Sequence, residues 1–360
     1  MSHEGVNAYA VALMIREAWD LYKAGRYSAG LDAARRAVEA SRKLGDLASE
    51  VRATEIEAAN LRMLGDDATA LVWYTWILGV AEDGEKQAAL GDADLTKQFA
   101  KAYMNFVACG RFLPEMTVEK LLDVLDAGEA WLRRAGRPEW RAGLLHQRVS
   151  LLVGQGRREE AVGFAEEAVS LARQHPNAPG YALAAHLWVL GDLLRQLERT
   201  AEAEGCYQEV LDDPASHPGN RAGALQGLAR CALARDDAAS ARQHATAAVR
   251  LAEGMGDDVL CIALGVLVDA CRAADDVEAA VRASERYLDA ARRVGGQRPY
   301  FALRDAADVA LDRGDVEAAR RHLDEAAPIA AAFDRQAGVE TWANDLAERQ
   351  RRLAEVEVRR

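Results

Sequence analysis

Basic charge is short in this chain: 45 Lys and Arg stand against 57 Asp and Glu, for a net charge of -12. Such a balance repels a phosphate backbone, and the arginines are interleaved with acids as on solvated helix faces, so nucleic acid is not expected as a direct partner. Long apolar runs are also missing. None reaches the roughly 20 residues that a membrane-spanning helix needs. The start, Met1 to Trp19, has no basic segment ahead of its short apolar run, which Arg16 and Glu17 interrupt. No membrane contact and no secretory signal are expected. Cysteines are few: Cys109, Cys206, Cys231, Cys261 and Cys271 form an odd set without paired spacing, which suits buried thiols in a reducing cytoplasm.

Catalytic motifs are lacking too. The seven histidines, His3, His146, His175, His186, His217, His244 and His322, show no metal-ligand spacing with one another or with cysteine. Neither a phosphate-binding loop nor a nucleophile elbow is present, and carboxylates scattered over helix surfaces carry no specific signal. A non-enzymatic protein without metal or cofactor is expected.

What the chain has is helix-forming residues and a repeat. Half of the residues are apolar, alanine is abundant and only eight prolines occur, which predicts an all-α fold. At 360 residues two domains would be usual. A stacked array has no such ceiling, because each unit packs only on its neighbours, so one domain over 1–360 is expected. Turn anchors recur at Gly25, Gly65, Gly110, Gly156, Glu198, Asp236, Asp275 and Gly314, 38 to 46 residues apart. Glycine tolerates the backbone of a helix end, and an acid suits the start of the next helix. Five residues beyond each anchor stand Gly30, Ala70, Glu115, Ala161, Ala203, Ala241, Ala280 and Ala319, small in every case but Glu115.

The segment Leu187 to Leu211 shows the unit most clearly. Leu187, Leu190, Leu194 and Leu197 fall at helical spacing around Gly191; a break at Glu198 to Thr200 precedes Ala203, Tyr207 and Val210, and Pro214 ends the second helix. The wording resembles the tetratricopeptide (TPR) family: Leu187, the pair Leu190 and Gly191, Leu194, then Ala203, Tyr207 and Pro214. Gly25, Tyr27, Gly30 and Ala37 repeat it near the start. Gly191 and Ala203 are expected to be small because the paired helices cross closely there. The resemblance implies an α-solenoid of about eight helix-turn-helix repeats, at approximately 9–44, 47–82, 95–135, 140–174, 181–212, 221–254, 257–294 and 299–333. In the third, Glu115 replaces the small residue and Pro114 lengthens the connection, with loops expected at Gly84 to Asp94 and Gly110 to Thr117. A last helix over 338–356 carries Val339, Trp342, Leu346 and Leu353 on one face and is expected to cap the array, with the Arg349 to Arg360 tail free to fray.

Units of this length look like the longer-helix TPR arrays of kinesin light chains, bacterial peptide-sensing regulators and the sensor domain of the maltose-operon activator. The resemblance implies binding of a protein or peptide, as adaptor or scaffold through a concave groove; the alternative is a cytoplasmic sensor of a peptide or small effector, acting as a regulator through a partner protein. No DNA-reading helix-turn-helix is expected within the chain, and monomer and homodimer are both open. The family's carboxylate clamp would fall at Ile15, Trp19, Glu55 and Ala59, so that ligand is not expected.

First helices line the concave side of such arrays, which projects His146 and Ser150; Trp188, Asp192 and Arg195; Gln226 and Arg230; Asp269 and Arg272; and Arg304 and Asp308 onto it. The four arginines would form a ladder for an acidic peptide. The competing reading pairs Asp192 with Arg195, Asp269 with Arg272 and Arg304 with Asp308 along their own helices. Tryptophans Trp19, Trp73, Trp76, Trp131 and Trp140 crowd the first part of the chain, and the helix of Trp73 and Trp76 is apolar around most of its circumference. Either the third unit covers these rings or a second interface does.

Overall fold

The computed structural model describes residues 7–176, 183–337 and 341–358. His3 and Val339, singled out above, lie outside them, as do residues 181–182 at the start of the fifth repeat. Among the described residues there are eight consecutive helix pairs, a terminal helix and no strand, the all-α fold expected from composition and period. The residues fall into two compact units, 1–186 and 187–360.

Unit 1 contains α1 (Ala8–Lys23) with α2 (Tyr27–Leu44), α3 (Leu47–Met63) with α4 (Asp67–Glu82), a short α5 (Gly84–Ala89), α6 (Thr96–Gly110) with α7 (Val118–Arg134), and α8 (Arg141–Gly154) with α9 (Arg158–Gln174). Its main core joins Tyr74 and Ile77 of α4 to Phe99 and Tyr103 of α6, Leu121, Leu125 and Leu132 of α7, and Leu144 of α8. Unit 2 is built from α10 (Leu183–Gln196) with α11 (Thr200–Asp212), α12 (Pro218–Ala234) with α13 (Ala238–Ala252), α14 (Asp257–Ala273) with α15 (Val277–Val294), α16 (Arg298–Arg313) with α17 (Val316–Ala337), and α18 (Thr341–Val358). The first turn of α10 falls on the unit 1 side of the division.

The turns explain the repeat. Seven of the eight anchors adopt a left-handed backbone, with φ of 72° at Gly25, 83° at Gly65, 72° at Gly156, 60° at Glu198, 58° at Asp236, 52° at Asp275 and 77° at Gly314. The following residue starts the second helix, and where it is aspartate its carboxylate accepts an orphan backbone N–H: Asp66 from Thr69, Asp237 from Ser240, Asp276 from Ala279 and Asp315 from Ala318. The acids therefore work as N-caps. At two of the positions where arginine stands instead, it reaches the first turn: Arg157 pairs with Glu160 and Arg199 with Glu202.

Gly110 departs from the pattern. It is the last residue of α6, buried, and a Cβ on it would lie 2.7 Å from Leu121 Cδ2. The longer connection through Pro114 puts Glu115 in the exposed loop, and Leu121 instead occupies the position in α7 that Ala70 holds in α4. Small and large residues have exchanged helices in this pair. The stretch expected as a loop at Gly84 to Asp94 also differs, because Asp83 accepts from the N–H groups of Glu85 and Lys86 and so nucleates α5.

At the end of unit 2, α18 packs on the last pair as a cap. Trp342 stacks between Phe333, with ring centroids 3.9 Å apart, and Tyr300, at 4.2 Å. Leu346 and Leu353 are buried, and Asp334 of α17 accepts from the backbone N–H groups of Trp342 and Ala343. The polar tail does not fray at its start, since Arg349 and Arg352 both bind the buried Asp308 carboxylate.

Candidate functional site

The residues projected onto the first helices of unit 2 run from α10 through α12 and α14 to α16. Trp188 is 40% exposed, its indole held against α12 because Gly223 has no side chain; a Cβ there would lie 2.8 Å from Trp188 Nε1. One turn on, Arg195 binds Asp192 at 2.6 Å and Gln196 donates to the other carboxylate oxygen at 2.7 Å. Gln226 of α12 is buried.

Ion pairing sorts the four arginines. Arg195 pairs within its own helix, as helical spacing suggests. Arg272 does not pair with Asp269; it crosses to α16, with Asp312 at 2.6 Å and Asp308 at 3.7 Å. Arg304 binds its sequence neighbour Asp305 rather than Asp308. Asp308, only 4% exposed, is surrounded by Arg349 at 3.1 Å, Arg352 at 2.9 Å and Arg272. Two of the three same-helix pairings suggested by spacing are thus replaced by other contacts. A helix fixes which residues share its face, but the stagger between helices decides which carboxylate is nearer.

Arg230 is left over. This half-buried guanidinium makes no ion pair among the described residues, and burial together with the nearby Arg195 disfavours its charge, while Asp192 and Asp269 only partly offset that from longer range. Asp269, exposed on α14, likewise has no ion-pair partner among the described residues. The row accordingly offers an aromatic plate at Trp188, one unsatisfied cation and one unsatisfied anion, between neutralised pairs. Groups of this kind can pair with opposite charges and apolar surface on a ligand.

No family model and no curated protein sequence matches the chain. Solved structures do. RapI in its apo form superposes with a TM-score of 0.64 over 96% of this chain and 97% of its own, at 12% identity. A Rap protein complexed with Competence and Sporulation Factor gives 0.56 over 97% and 100%, at 14% identity, and the apo quorum sensor NprR from B. thuringiensis gives 0.56 over 94% and 98%, at 12%. The fold is that of TPR-type α-solenoids. At these identities the likeness is one of architecture.

The other residues proposed from sequence lie in unit 1. His146 of α8 is half-buried, its ring 5.9 Å from that of His186 in an edge-to-face arrangement, and Ser150 accepts from Arg111 at 2.8 Å. Trp73 and Trp76 of α4 are half-buried against the main core, with the Arg42 guanidinium 5.8 Å from the Trp73 ring centroid. The helix turns Val72, Thr75 and Gly79 outward, and both rings pack against the core of unit 1.

Sequence reading missed Arg349 and Arg352. They stand three apart in a stretch that looked merely polar, and the only signal available was their helical phase beside Leu346 and Leu353. It also missed a cavity in unit 1, lined in part by Ile15, Trp19, Glu55 and Ala59, where the carboxylate clamp had been looked for.

Proposed function

We propose that the chain is a non-enzymatic adaptor or scaffold that holds a protein or peptide along the first-helix face of unit 2. The observation that carries this reading is Arg230, a half-buried guanidinium without an ion pair in a row whose other arginines are neutralised. A carboxylate placed there gains a charge-assisted hydrogen bond with little new desolvation of the arginine, and Trp188 supplies an apolar anchor. Four of the five cysteines are buried, which suits a reducing, cytoplasmic setting. No helix among the described residues is long and apolar enough to cross a membrane.

The second reading is a sensor of a peptide or small effector that acts as a regulator through a partner protein. It is supported by the full-length architectural likeness to a Rap protein crystallised with Competence and Sporulation Factor and to the quorum sensor NprR. Both readings place the ligand on the same kind of face. Affinity capture from the native host, followed by peptide mapping, identifies the partner; Arg230→Ala is expected to reduce its recovery while leaving helical circular dichroism unchanged. Undiminished recovery by this variant would remove the unit 2 row as the binding face.

A further inference from the structure

Three cations without ion-pair partners converge on one cavity in unit 1, in a chain where most arginines are matched with acids. The cavity has two lobes, of ≈ 290 Å³ and ≈ 360 Å³, which share Trp19 of α1, Glu55 of α3, and Lys97 and Lys101 of α6. One lobe ends at Arg52, the other at Arg62. Arg52, Arg62 and Lys97 make no ion pair among the described residues. The Arg62 guanidinium only donates to the Asn105 amide oxygen, at 3.4 Å. Lys97 and Lys101 lie over the Trp19 ring, 5.6 and 4.7 Å from its centroid. The one acid of the shared wall, Glu55, is 4% exposed and is held by Lys101 at 3.2 Å.

The geometry also sets a length. Arg52, Glu55, Ala59 and Arg62 lie on one face of α3, and ten residues of helix separate the two arginines by about 15 Å. Extended chain covers that distance in roughly four to five residues. Beside these charged groups the walls carry apolar and aromatic surface: Ile15 and Ile56 in the lobe of Arg52, Met104 and Trp140 in the lobe of Arg62, and Trp19 in both.

We infer that this cavity is a binding site for a short extended peptide with a carboxylate at each end of a four- to five-residue span and apolar side chains between. One carboxylate meets Arg52, the other meets Arg62, and the apolar residues lie against Trp19 and its flanking walls. Lys97 adds attraction along the middle. The site is separate from the unit 2 row and stands whether or not that row binds.

The test uses the immobilised full chain and two pools of acetylated, amidated pentapeptides, one with Asp or Glu at the first and fifth positions, the other with Asn or Gln there, both randomised over Leu, Val, Phe and Ala between. Retained peptides are counted by mass spectrometry. The acid-ended pool is expected to be retained selectively. Because hydrogen bonds to charged groups are individually strong, Arg52→Gln and Arg62→Gln should each cut that retention about ten-fold. Both side chains are unpaired and partly exposed, so their replacement leaves the packing in place. All retention is measured in an Arg230→Gln background, which removes the unpaired cation of the unit 2 row, and in that background Glu55→Gln, which releases Lys101 from its carboxylate, should raise retention in protein whose circular dichroism matches the parent. Equal retention of the two pools overturns the inference. So does selectivity that survives both Arg52→Gln and Arg62→Gln in the Arg230→Gln background, or that is absent from the Arg230→Gln chain itself, which would move the site to unit 2.

Discussion

The ring of Tyr207 packs onto the bare Cα of Gly227, in the space where any side chain at that position would begin. The same ring touches Gly191, where a Cβ would lie 2.7 Å from Tyr207 Cε1. One tyrosine of α11 therefore fills a slot formed by glycines of its own partner helix and of the next first helix. Tyr103 against Gly128 repeats the device in unit 1. Close packing leaves these rings nowhere to go.

Gly227→Ala is accordingly expected to destabilise the protein. Alanine in a helix interior gains up to about 1 kcal/mol over glycine, but the methyl group would overlap a fully buried ring, and overpacking of this kind costs about 1 to 3 kcal/mol. Gly205→Ala in the neighbouring α11 is the control, since that glycine faces open space and should gain about 0.5 to 1 kcal/mol. Urea denaturation midpoints of the two variants should move in opposite directions. Movement of both upward would mean that Tyr207 does not rest on Gly227.

These contacts show which part of the molecule was legible beforehand. The anchors Gly25, Gly65, Gly156, Glu198, Asp236, Asp275 and Gly314 could be found because a left-handed turn restricts residue type locally, and Ala203, Ala241, Ala280 and Ala319 because each sits a fixed distance beyond one. Gly191 was expected to be small for a close helix crossing, whereas the structure gives the Tyr207 ring as the reason. Gly110 was misjudged because the same residue type serves a turn or a packing slot. Partner choice at Asp308 depends on α18, 41 residues away, and no local period encodes that distance. The unit 1 cavity escaped notice for a related reason: Arg52, Arg62 and Lys97 are ordinary surface cations until it is known that none of them makes an ion pair among the described residues.

Removing residues after Phe333 should weaken unit 2 sharply. Tyr300 and Phe301 would lose Trp342, and the buried Asp308 carboxylate would lose both Arg349 and Arg352. A buried carboxylate left with Arg272 at 3.7 Å as its remaining cation is more costly than a lost contact. The single change Trp342→Ala, at a half-buried ring, should cost about 2 to 4 kcal/mol. Calorimetry and light scattering on the truncated chain check the cap; unchanged melting in a monodisperse sample would contradict it.

Asp305 gives a pH dependence of definite sign. Its carboxyl is pushed up to about 6 by burial, a shift that the adjacent Arg304 guanidinium opposes and that Asp269 and Asp308 reinforce. A raised carboxyl binds its proton more tightly in the folded protein, so its contribution to stability is greatest at acid pH and declines as pH rises from about 4 through about 6. Asp305→Asn keeps the shape and removes that decline. The stability difference between variant and parent should therefore shift in the variant's favour between pH 4 and pH 7, by about 1.4 kcal/mol for each unit of displacement. A difference that stays flat across this range would show that Asp305 ionises as an exposed carboxyl does.

The row on unit 2 makes a graded prediction about its arginines. Arg272 is already held by Asp312 and Asp308, and Arg195 by Asp192, so a ligand carboxylate must compete with a resident acid at either position. At Arg230, which makes no ion pair among the described residues, it displaces no directly bound acid. For a partner captured from the native host, Arg230→Ala should therefore weaken binding by about 1.5 to 3 kcal/mol, the range for a hydrogen bond between charged groups, and Arg272→Ala by less. Rising salt should weaken the parent complex, and the Arg230→Ala complex should respond less steeply because one of its charge contacts is gone. Trp188→Ala should weaken binding without changing that salt response, since the indole contributes apolar area. Should Arg230→Ala bind normally while Trp73→Ala or Trp76→Ala abolishes capture in folded protein, the partner sits on α4 of unit 1 and the unit 2 row is not its site.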